Sequence, residues 1–451
     1  MKAVSLFTSG GIGDLALRQI GVEVIVANEL IYERAEVFKY NYPKCQTLVG
    51  DIYELKADII VSTKEKLQGE TLDFLLATPP CQGMSKNGRG KLLSAIRGGK
   101  RPKLDIRNQL IVPTIDIIVA LLPNIVVFEN VPEMKDTIIK VEGRLINIID
   151  FIKNRLEPLG YIGSEEVVEF ANFGVPQRRK RLITIFSKSE PLVNYWKKHF
   201  SFIPKYSHSK EEKAGTKKWV SVKDVIAQVP KIDAKNKKTA TSTIPFHRVP
   251  ILKGDKYFWV THTPSESGAF DNQCIKCGFN KNAIHGSSKD KNGINKSNKN
   301  TPLRCQKCNE LLPRPWVKEG DNYRLMKGYT SAYRRMKWNL PATALTTNLS
   351  YACSDNKLHP EQNRVLSLYE AFIIHTISQY SYIWQRQDNK KVSDKLIREI
   401  IGESIPPKGL EIILNHLKEI LLHSNLRRKA KKEQLMFFQE PQKSYSLSLE
   451  L

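Results

Sequence analysis

Nowhere in the 451 residues is there a run of the roughly 18 consecutive apolar positions needed to cross a bilayer, which excludes a helical membrane protein. The amino-terminal Met1-Lys2-Ala3-Val4-Ser5-Leu6-Phe7 lacks the apolar stretch and small-residue cleavage site of a secretory signal and runs straight into a strand-like segment and a glycine loop. The expectation is a cytoplasmic protein with no membrane partner. Cysteine is sparse and odd in number, seven in all, and the chain is about three times the ~150 residues of a typical domain, so a small disulfide-stapled scaffold is excluded. A disordered chain is excluded too, since 41% of residues are hydrophobic and 26% charged. The strongest deficit is of negative charge. Lys plus Arg number 71 against 46 Asp plus Glu, a net +25, and the partner best matched to such a field is a polyphosphate, that is, nucleic acid.

From Val4 to Phe186 short apolar runs alternate with longer helical patterns. Val4 to Phe7, Val22 to Ala27, Phe74 to Ala77, Ile125 to Phe128 and Arg181 to Phe186 read as strands; Asp14 to Gln19, Gln109 to Leu122 and Arg144 to Arg155 read as helices. This alternation predicts a doubly wound α/β fold, a parallel sheet covered on both faces with ligands at the carboxyl ends of its strands. After about Lys188 the alternation stops, and lysines are interleaved with Trp219, Tyr257, Phe258 and Trp259, the texture of a second, smaller, basic domain. Lys281 to Lys299, rich in Asn, Ser, Gly and Lys, reads as a loop. Helical patterns return from Arg364 and over Gly409 to Leu422, and a basic tail opens at Arg427.

Four motifs in the first block carry chemistry. The loop Phe7-Thr8-Ser9-Gly10-Gly11-Ile12-Gly13-Asp14 follows the first strand, and Glu29 ends the second, where a carboxylate can accept from ribose hydroxyls. Gly11-x-Gly13-x-x-Ala16 satisfies a dinucleotide fingerprint, so the loop alone fits a nicotinamide cofactor or S-adenosylmethionine equally. Asp51, after a third strand, is placed to receive an adenine amino group or simply to cap a turn. In Thr78-Pro79-Pro80-Cys81-Gln82-Gly83, two prolines stiffen the strand exit and place Cys81 at the carboxyl edge; a glycine- and cation-rich stretch from Gly88 to Arg101 follows, with the composition of a hinged lid. Phe128-Glu129-Asn130-Val131 puts a carboxylate at the end of a buried strand, where desolvation is expected to raise its pKa and suit it to general-acid work or a structural ion pair. In Gln177-Arg178-Arg179-Lys180-Arg181 the period-2 spacing of Arg179 and Arg181 puts both guanidinium groups on one face of an extended segment, which can hold them near Glu129 and a base carbonyl or form a solvated basic edge.

These four elements, in this order, resemble the DNA cytosine-5 methyltransferases of bacterial restriction–modification systems. The resemblance extends to Asp105-Ile106-Arg107-Asn108-Gln109-Leu110, to Arg364-Val365-Leu366-Ser367-Leu368-Tyr369-Glu370-Ala371 and to Gly402-Glu403-Ser404-Ile405-Pro406-Pro407. Two positions depart from the family pattern: Ser9 stands where glycine is usual, and Glu403 where asparagine is. The resemblance implies a Rossmann-like S-adenosylmethionine-dependent methyltransferase that methylates C5 of cytosine in a specific double-stranded DNA sequence. Cys81 adds to C6 of a flipped-out base, Glu129 bonds the ring at N3, Arg181 holds the base carbonyl, Arg179 positions Glu129 and Gln177 supports the strand. It further implies that Phe7, Gly11, Glu29, Asp51, Ile52, Pro80 and Leu110 hold S-adenosylmethionine, and that a cognate restriction endonuclease is a partner in the same system. The corresponding division is a catalytic domain over 1–190, a target-recognition domain over 191–340, a return to the catalytic domain over 341–424 and a basic tail over 425–451.

Cys274-x-x-Cys277 and Cys305-x-x-Cys308, separated by 27 residues, offer four thiolates for a structural zinc in the target-recognition domain. A metal staple suits a lysine-rich region whose core is thin. A redox role is the rival, but neither pair sits at the strand-to-helix turn of a βαβ unit. Arg248, Arg304, Arg314 and Arg334 are candidates for guanine or phosphate contacts. Two other readings of the whole chain stand beside this one: the same chemistry on transfer RNA, and a catalytically silent zinc-containing nucleic-acid-binding protein.

Overall fold

A computed structural model of the chain describes residues 1–80, 106–285, 287–289, 295–297, 301–326 and 331–437. Cys81, the stretch Gly88 to Arg101, much of the segment Lys281 to Lys299 and the tail beyond 437 lie outside the described residues.

The strands are β1 (Lys2–Leu6), β2 (Glu23–Glu29), β3 (Gln46–Val49), β4 (Phe74–Ala77), β5 (Ile125–Asn130), a hairpin of β6 (Ile138–Val141) and β7 (Arg144–Asn147), then β8 (Ile162–Glu169), β9 (Gln177–Arg178) and β10 (Lys180–Ser187). Among the described residues, seven of them form one sheet in the order β3-β2-β1-β4-β5-β10-β8. Strands β1 to β5 are parallel, with Val4 opposite Leu75 and Leu75 opposite Val126. The expectation of a wholly parallel sheet is corrected at β10, which runs antiparallel to both β5 and β8. The physical reason is the connection: the link from Glu169 to Lys180 contains one 3-10 turn, Phe170–Phe173, and no crossover helix of the kind that joins parallel neighbours.

Alternation along each strand sends side chains to two cores. Ala3, Phe74, Leu76, Ile125 and Val127 join one, with the helices Asp14–Gln19, Tyr32–Asn41 and Asp394–Glu403 and the first turns of Pro407–Phe437. Val4, Leu75, Ala77, Val126 and Phe128 join the other, under Ile52–Leu67, Ile111–Leu121 and Ile148–Leu156. Each fully buried Leu, Ile or Phe contributes about 1.5–3 kcal/mol. The first core also draws in Leu192, Phe202, Val222 and Ile226 from beyond β10 and Met336, Ala342 and Leu345 from far later in the chain. A third cluster runs from Ile232 to Val365 around Trp259, Phe270 and Tyr333, and a fourth, small one holds Cys274, Cys305 and Leu312.

Two expected helices begin later than their patterns. Arg144 to Asn147 is strand, because Glu142 and Gly143 take positive φ and turn the chain into the β6–β7 hairpin; Asn147 then caps the helix by accepting from Ile149 N and Asp150 N. The helix expected from Arg364 starts at Leu368, capped reciprocally by Ser367 and Glu370. Arg364 lies outside it and forms a fully buried two-pronged ion pair with Glu370 at 2.6 and 2.7 Å. The helix expected over Gly409 to Leu422 is part of a longer one, Pro407–Phe437. Among the described residues no helix is long and apolar enough to cross a membrane.

Candidate active site

The order β3-β2-β1-β4 reverses direction between β1 and β4, and at such a switch the carboxyl ends of the strands open a crevice. Of the residues expected to hold the nucleoside-type ligand, Phe7, Gly11, Glu29, Asp51, Ile52 and Pro80 end or follow β1 to β4 at that edge, and Leu110 ends the 3-10 turn Ile106–Leu110. Phe7 leaves β1 with φ 62° and Gly11 sits at φ +80°. A Cβ on Gly11 would stand 2.5 Å from the Tyr42 ring and 2.7 Å from Phe38, so glycine is required both by conformation and by space. Glu29 ends β2 buried, with Oε2 accepting from Ser9 N at 2.7 Å and Oε1 from Ile31 N at 2.8 Å. Burial pushes its pKa up, against those two N–H groups and Arg34. Each oxygen keeps a lone pair for a hydroxyl. Asp51 caps the helix Ile52–Leu67 through Tyr53 N, so its capping reading holds. Ile52 is buried, and Phe7 and Leu110 pack on the same core. The edge fits an adenosyl ligand: beside the Glu29 carboxylate, the buried Ser9 Oγ has no hydrogen-bond partner among the described residues.

The two departures from the family pattern have structural roles. Ser9, at φ 50°, turns its N–H onto Glu29, and Glu403 makes a 2.6 Å ion pair with Arg34 across the same crevice. Sequence reasoning missed the two tyrosines that hold the glycine loop. Tyr42 OH donates to Gly11 O at 2.7 Å, and Tyr382 OH, from the far end of the chain, donates to Gly10 O at 2.6 Å.

The second half of the site stands at β5 and β10. Glu129 is 5% exposed, and Arg181 Nε lies 2.7 Å from its Oε1. The guanidinium that faces Glu129 is thus that of Arg181. Arg179 is buried and donates to the carbonyls of Leu345, Gly402 and Ser404 at 2.9, 3.0 and 2.6 Å. On that geometry Arg179 anchors the returning segment. Gln177 is fully buried; its Oε1 accepts from Leu345 N at 3.0 Å and its Nε2 lies 3.1 Å from His375 Nδ1. His375 Nε2 in turn meets Ser404 Oγ at 2.9 Å, and Ser404 Oγ donates to Ile401 O. Burial first, then Arg179 and Arg181, hold His375 well below its ordinary pKa. A neutral ring protonated on Nε2 satisfies every partner in this chain, with Gln177 donating to Nδ1. Neither His375 nor Asn130 was singled out by motif spacing. Asn130 Nδ2 donates to Pro79 O at 3.0 Å while its Oδ1 accepts from Val131 N, and Thr78 Oγ1 donates to Phe7 O, so the exit of β4 just before Cys81 is tied to both neighbouring strands.

Away from this edge, the four cysteines come together. Their sulfurs lie within 4.8 Å of one another, with Cys274–Cys308 and Cys274–Cys277 at 3.6 Å and Cys277–Cys305 at 3.7 Å. These separations exceed a disulfide and match the ~3.8 Å edges of a tetrahedron with metal–sulfur bonds of about 2.3 Å. The four candidate arginines are all engaged within the protein. Arg314 is fully buried on Asn272 O and Pro302 O, and so cannot reach a base; Arg334 pairs with Asp271, Arg248 with Asp394, and Arg304 donates to Asn309 O.

A family model described as C-5 cytosine-specific DNA methylase matches residues 1–419. The chain is similar to type II methyltransferase M1.HgaI of Avibacterium volantium, 29% identical over 426 residues that span 92% of this chain and 98% of that one. Type II methyltransferase M.XorII of Xanthomonas oryzae pv. oryzae is 29% identical over 198 residues, 43% of this chain and 42% of its own. Among solved structures, a prophage-encoded DNA modification methyltransferase of E. coli superposes with a TM-score of 0.51 at 20% identity, over 93% of this chain and 99% of that one, which shows a shared fold.

The His375 relay makes a pH prediction. The unfolded chain takes up a proton near pH 6.5 that the buried ring refuses, so stability is full above that pH and declines as pH falls below it, by up to about 1.4 kcal/mol per pH unit for this group. Urea unfolding at pH 7, 6 and 5 should show His375→Gln with a shallower pH slope than the parent chain by about that amount; an identical slope would contradict the neutral buried ring.

Proposed function

Because this chain belongs to the C-5 cytosine-specific DNA methylase family, we propose that it methylates C5 of cytosine within a specific double-stranded DNA sequence, through covalent addition of Cys81 to a flipped-out base. The observation that carries the reading is the Glu129–Arg181 pair, at the carboxyl end of β5 and the adjacent amino end of the antiparallel β10, beside the Asn130-held exit of β4 that leads directly into Cys81. A stacked base cannot reach that edge, so the target cytosine leaves the duplex.

The chemistry needs a nucleophile because C5 of cytosine does not attack a methyl sulfonium unaided. The Cys81 thiolate forms a bond to C6, which places electron density on C5. Glu129 bonds the ring at N3 and stabilises the charge that develops there, and Arg181 both orients Glu129 and faces the base carbonyl. S-adenosylmethionine, when bound, supplies the methyl group. C5 then loses its proton, the Cys81–C6 bond breaks, and the 5-methylated base and free thiol are restored. Gln177 and Arg179 position the strand that carries Arg181. For the cosubstrate, Glu29 takes the ribose hydroxyls, Asp51 the adenine amino group through the oxygen not used in capping, and Phe7, Ile52, Pro80 and Leu110 the apolar faces, with Gly11 allowing close approach.

The similar proteins named as type II methyltransferases support a place as the modification half of a restriction–modification system, protecting host DNA from a cognate endonuclease. The four-cysteine cluster is read as a structural zinc site: among the described residues its own core is Cys274, Cys305 and Leu312 with Cys277 and Phe279 against it, too little to hold two knuckles without a metal.

Incubating the enzyme with labelled S-adenosylmethionine and either duplex DNA or transfer RNA should label the DNA alone, and Cys81→Ala should reduce that labelling by at least about a thousandfold, a loss of ~4 kcal/mol in transition-state stabilisation. Labelled transfer RNA with blank DNA would move the reading to RNA, and full activity in Cys81→Ala would refute the covalent step. Metal analysis should find one zinc per chain, lost in Cys305→Ser together with a lower melting temperature. A zinc-free protein whose melting temperature matches that of Cys305→Ser would overturn the zinc assignment.

A further inference from the structure

Beside the Arg181 end of β10 lies a cationic shelf that the proposed chemistry does not use. Arg178 and Lys180 alternate with the buried Gln177 and Arg179 and project the other way, Arg178 with 52% of its side chain exposed. Next to them the segment 207–219 folds back on itself. His208–Ser209 pairs in parallel with Lys217–Lys218, Ser207 N donates to Asn172 O, Lys217 N to Ser207 O and Trp219 N to Ser209 O. Ser209 Oγ and Thr216 Oγ1 close the bend at 2.6 Å, so this is a braced element that fixes the backbone positions of its lysines. Trp219 fixes it to the site edge: its indole N–H donates to Asn172 Oδ1 at 2.8 Å, and the Arg178 guanidinium lies 5.6 Å over its ring.

Lys217 and Lys218 are both exposed, as is Lys180, and no carboxylate among the described residues pairs with any of the three. The acids nearby are Glu169, buried beneath Arg178 at 3.8 Å and also within the field of Lys180, Asp224, within the field of Lys218, and Glu211, 3.8 Å from Lys210; none lies within ion-pair distance of Lys180, Lys217 or Lys218. His208, inside the shelf, is held below its ordinary pKa by burial and by Lys408 and Lys217, as crowded cations require. Unpaired cations at fixed positions repel one another and cost stability unless an anion neutralises them in the working state.

We infer that this shelf, Arg178, Lys180, Lys217 and Lys218 over Trp219, is a docking surface for the sugar–phosphate backbone of the duplex that flanks the extruded cytosine. The occupant follows from placement and charge. The shelf continues the sheet edge that holds Glu129 and Arg181, and a row of braced, unpaired cations matches a row of phosphates, with no base-reading geometry needed. The inference rests on the DNA reading above.

The test is the affinity of the full chain for duplex DNA, by fluorescence anisotropy across a series of salt concentrations, for the parent, for Lys217→Ala/Lys218→Ala and for Lys197→Ala/Lys198→Ala. The last pair is exposed on the helix Glu190–His199, which follows the opposite end of β10. The shelf variant should bind several-fold to tenfold more weakly, and the slope of log K against log salt should fall by about 1.8, the loss of two phosphate contacts at ~0.9 each, while the distal variant matches the parent. An unchanged slope in the shelf variant, or an equal drop in both variants, overturns the inference. A parent that binds duplex DNA and methylates it, with an unchanged slope in the shelf variant, refutes the shelf alone; a parent that neither binds nor methylates duplex DNA refutes the function on which it rests.

Discussion

Arg179 lies where the start of β10 meets the returning segment around Leu345, Gly402 and Ser404. Its guanidinium is buried, and its two terminal nitrogens donate to three backbone carbonyls, Leu345 O, Gly402 O and Ser404 O, contributed by segments more than 160 residues away in sequence. A buried cation without partners costs several kcal/mol, so these carbonyls and the guanidinium fix one another. Gln177 and the neutral His375 repeat the constraint two residues away, again ending on Ser404. The consequence is functional. The strand that carries Arg181 to Glu129 and the segment that carries Glu403 to Arg34 are held by the same few hydrogen bonds, so the β5–β10 side and the β1–β2 side of the carboxyl edge share one register.

That shared register explains why the carboxyl edge of the sheet is so heavily braced. Tyr42 and Tyr382 hold successive glycine carbonyls from two different parts of the chain, Thr78 ties β4 to β1, and Asn130 ties β4 to β5. Orienting a nucleophile, a carboxylate and a sulfonium against one ring is worth many kcal/mol only if each is placed to within a fraction of an ångström. The four-cysteine cluster is the opposite regime, a small apolar nucleus at which a metal can replace core.

Much of the fold was legible in local pattern. The short apolar runs Val4 to Phe7, Phe74 to Ala77 and Ile125 to Phe128 marked buried strands, the first ending one residue early at Leu6, and the Cys-x-x-Cys spacing marked sulfurs that the fold brings together. What local pattern does not carry is direction and partner. Nothing in Arg181 to Phe186 marks that strand as antiparallel; that follows from the short link before it. Period-2 spacing put Arg179 and Arg181 on one face, but which meets Glu129 and which meets Gly402 is decided by the returning segment. Arg314 and Arg334 read as base-contact candidates because an arginine's burial and its acidic partner are tertiary facts. The roles of His375 and Tyr382 were illegible for the same reason: each acts on a segment at least 198 residues away.

The central claim is a transient sulfur–carbon bond between this chain and a cytosine held out of its duplex. The most direct measurement is mass spectrometry of the protein after incubation with S-adenosylmethionine and duplex DNA carrying 5-fluorocytosine at the methylated position, since fluorine at C5 blocks the final proton loss. The account predicts a stable adduct whose peptide maps to Cys81 and which is absent in Cys81→Ala. Duplex DNA that is methylated at ordinary cytosine but gives no adduct with the fluorinated base, or an adduct mapping to another residue, would contradict it.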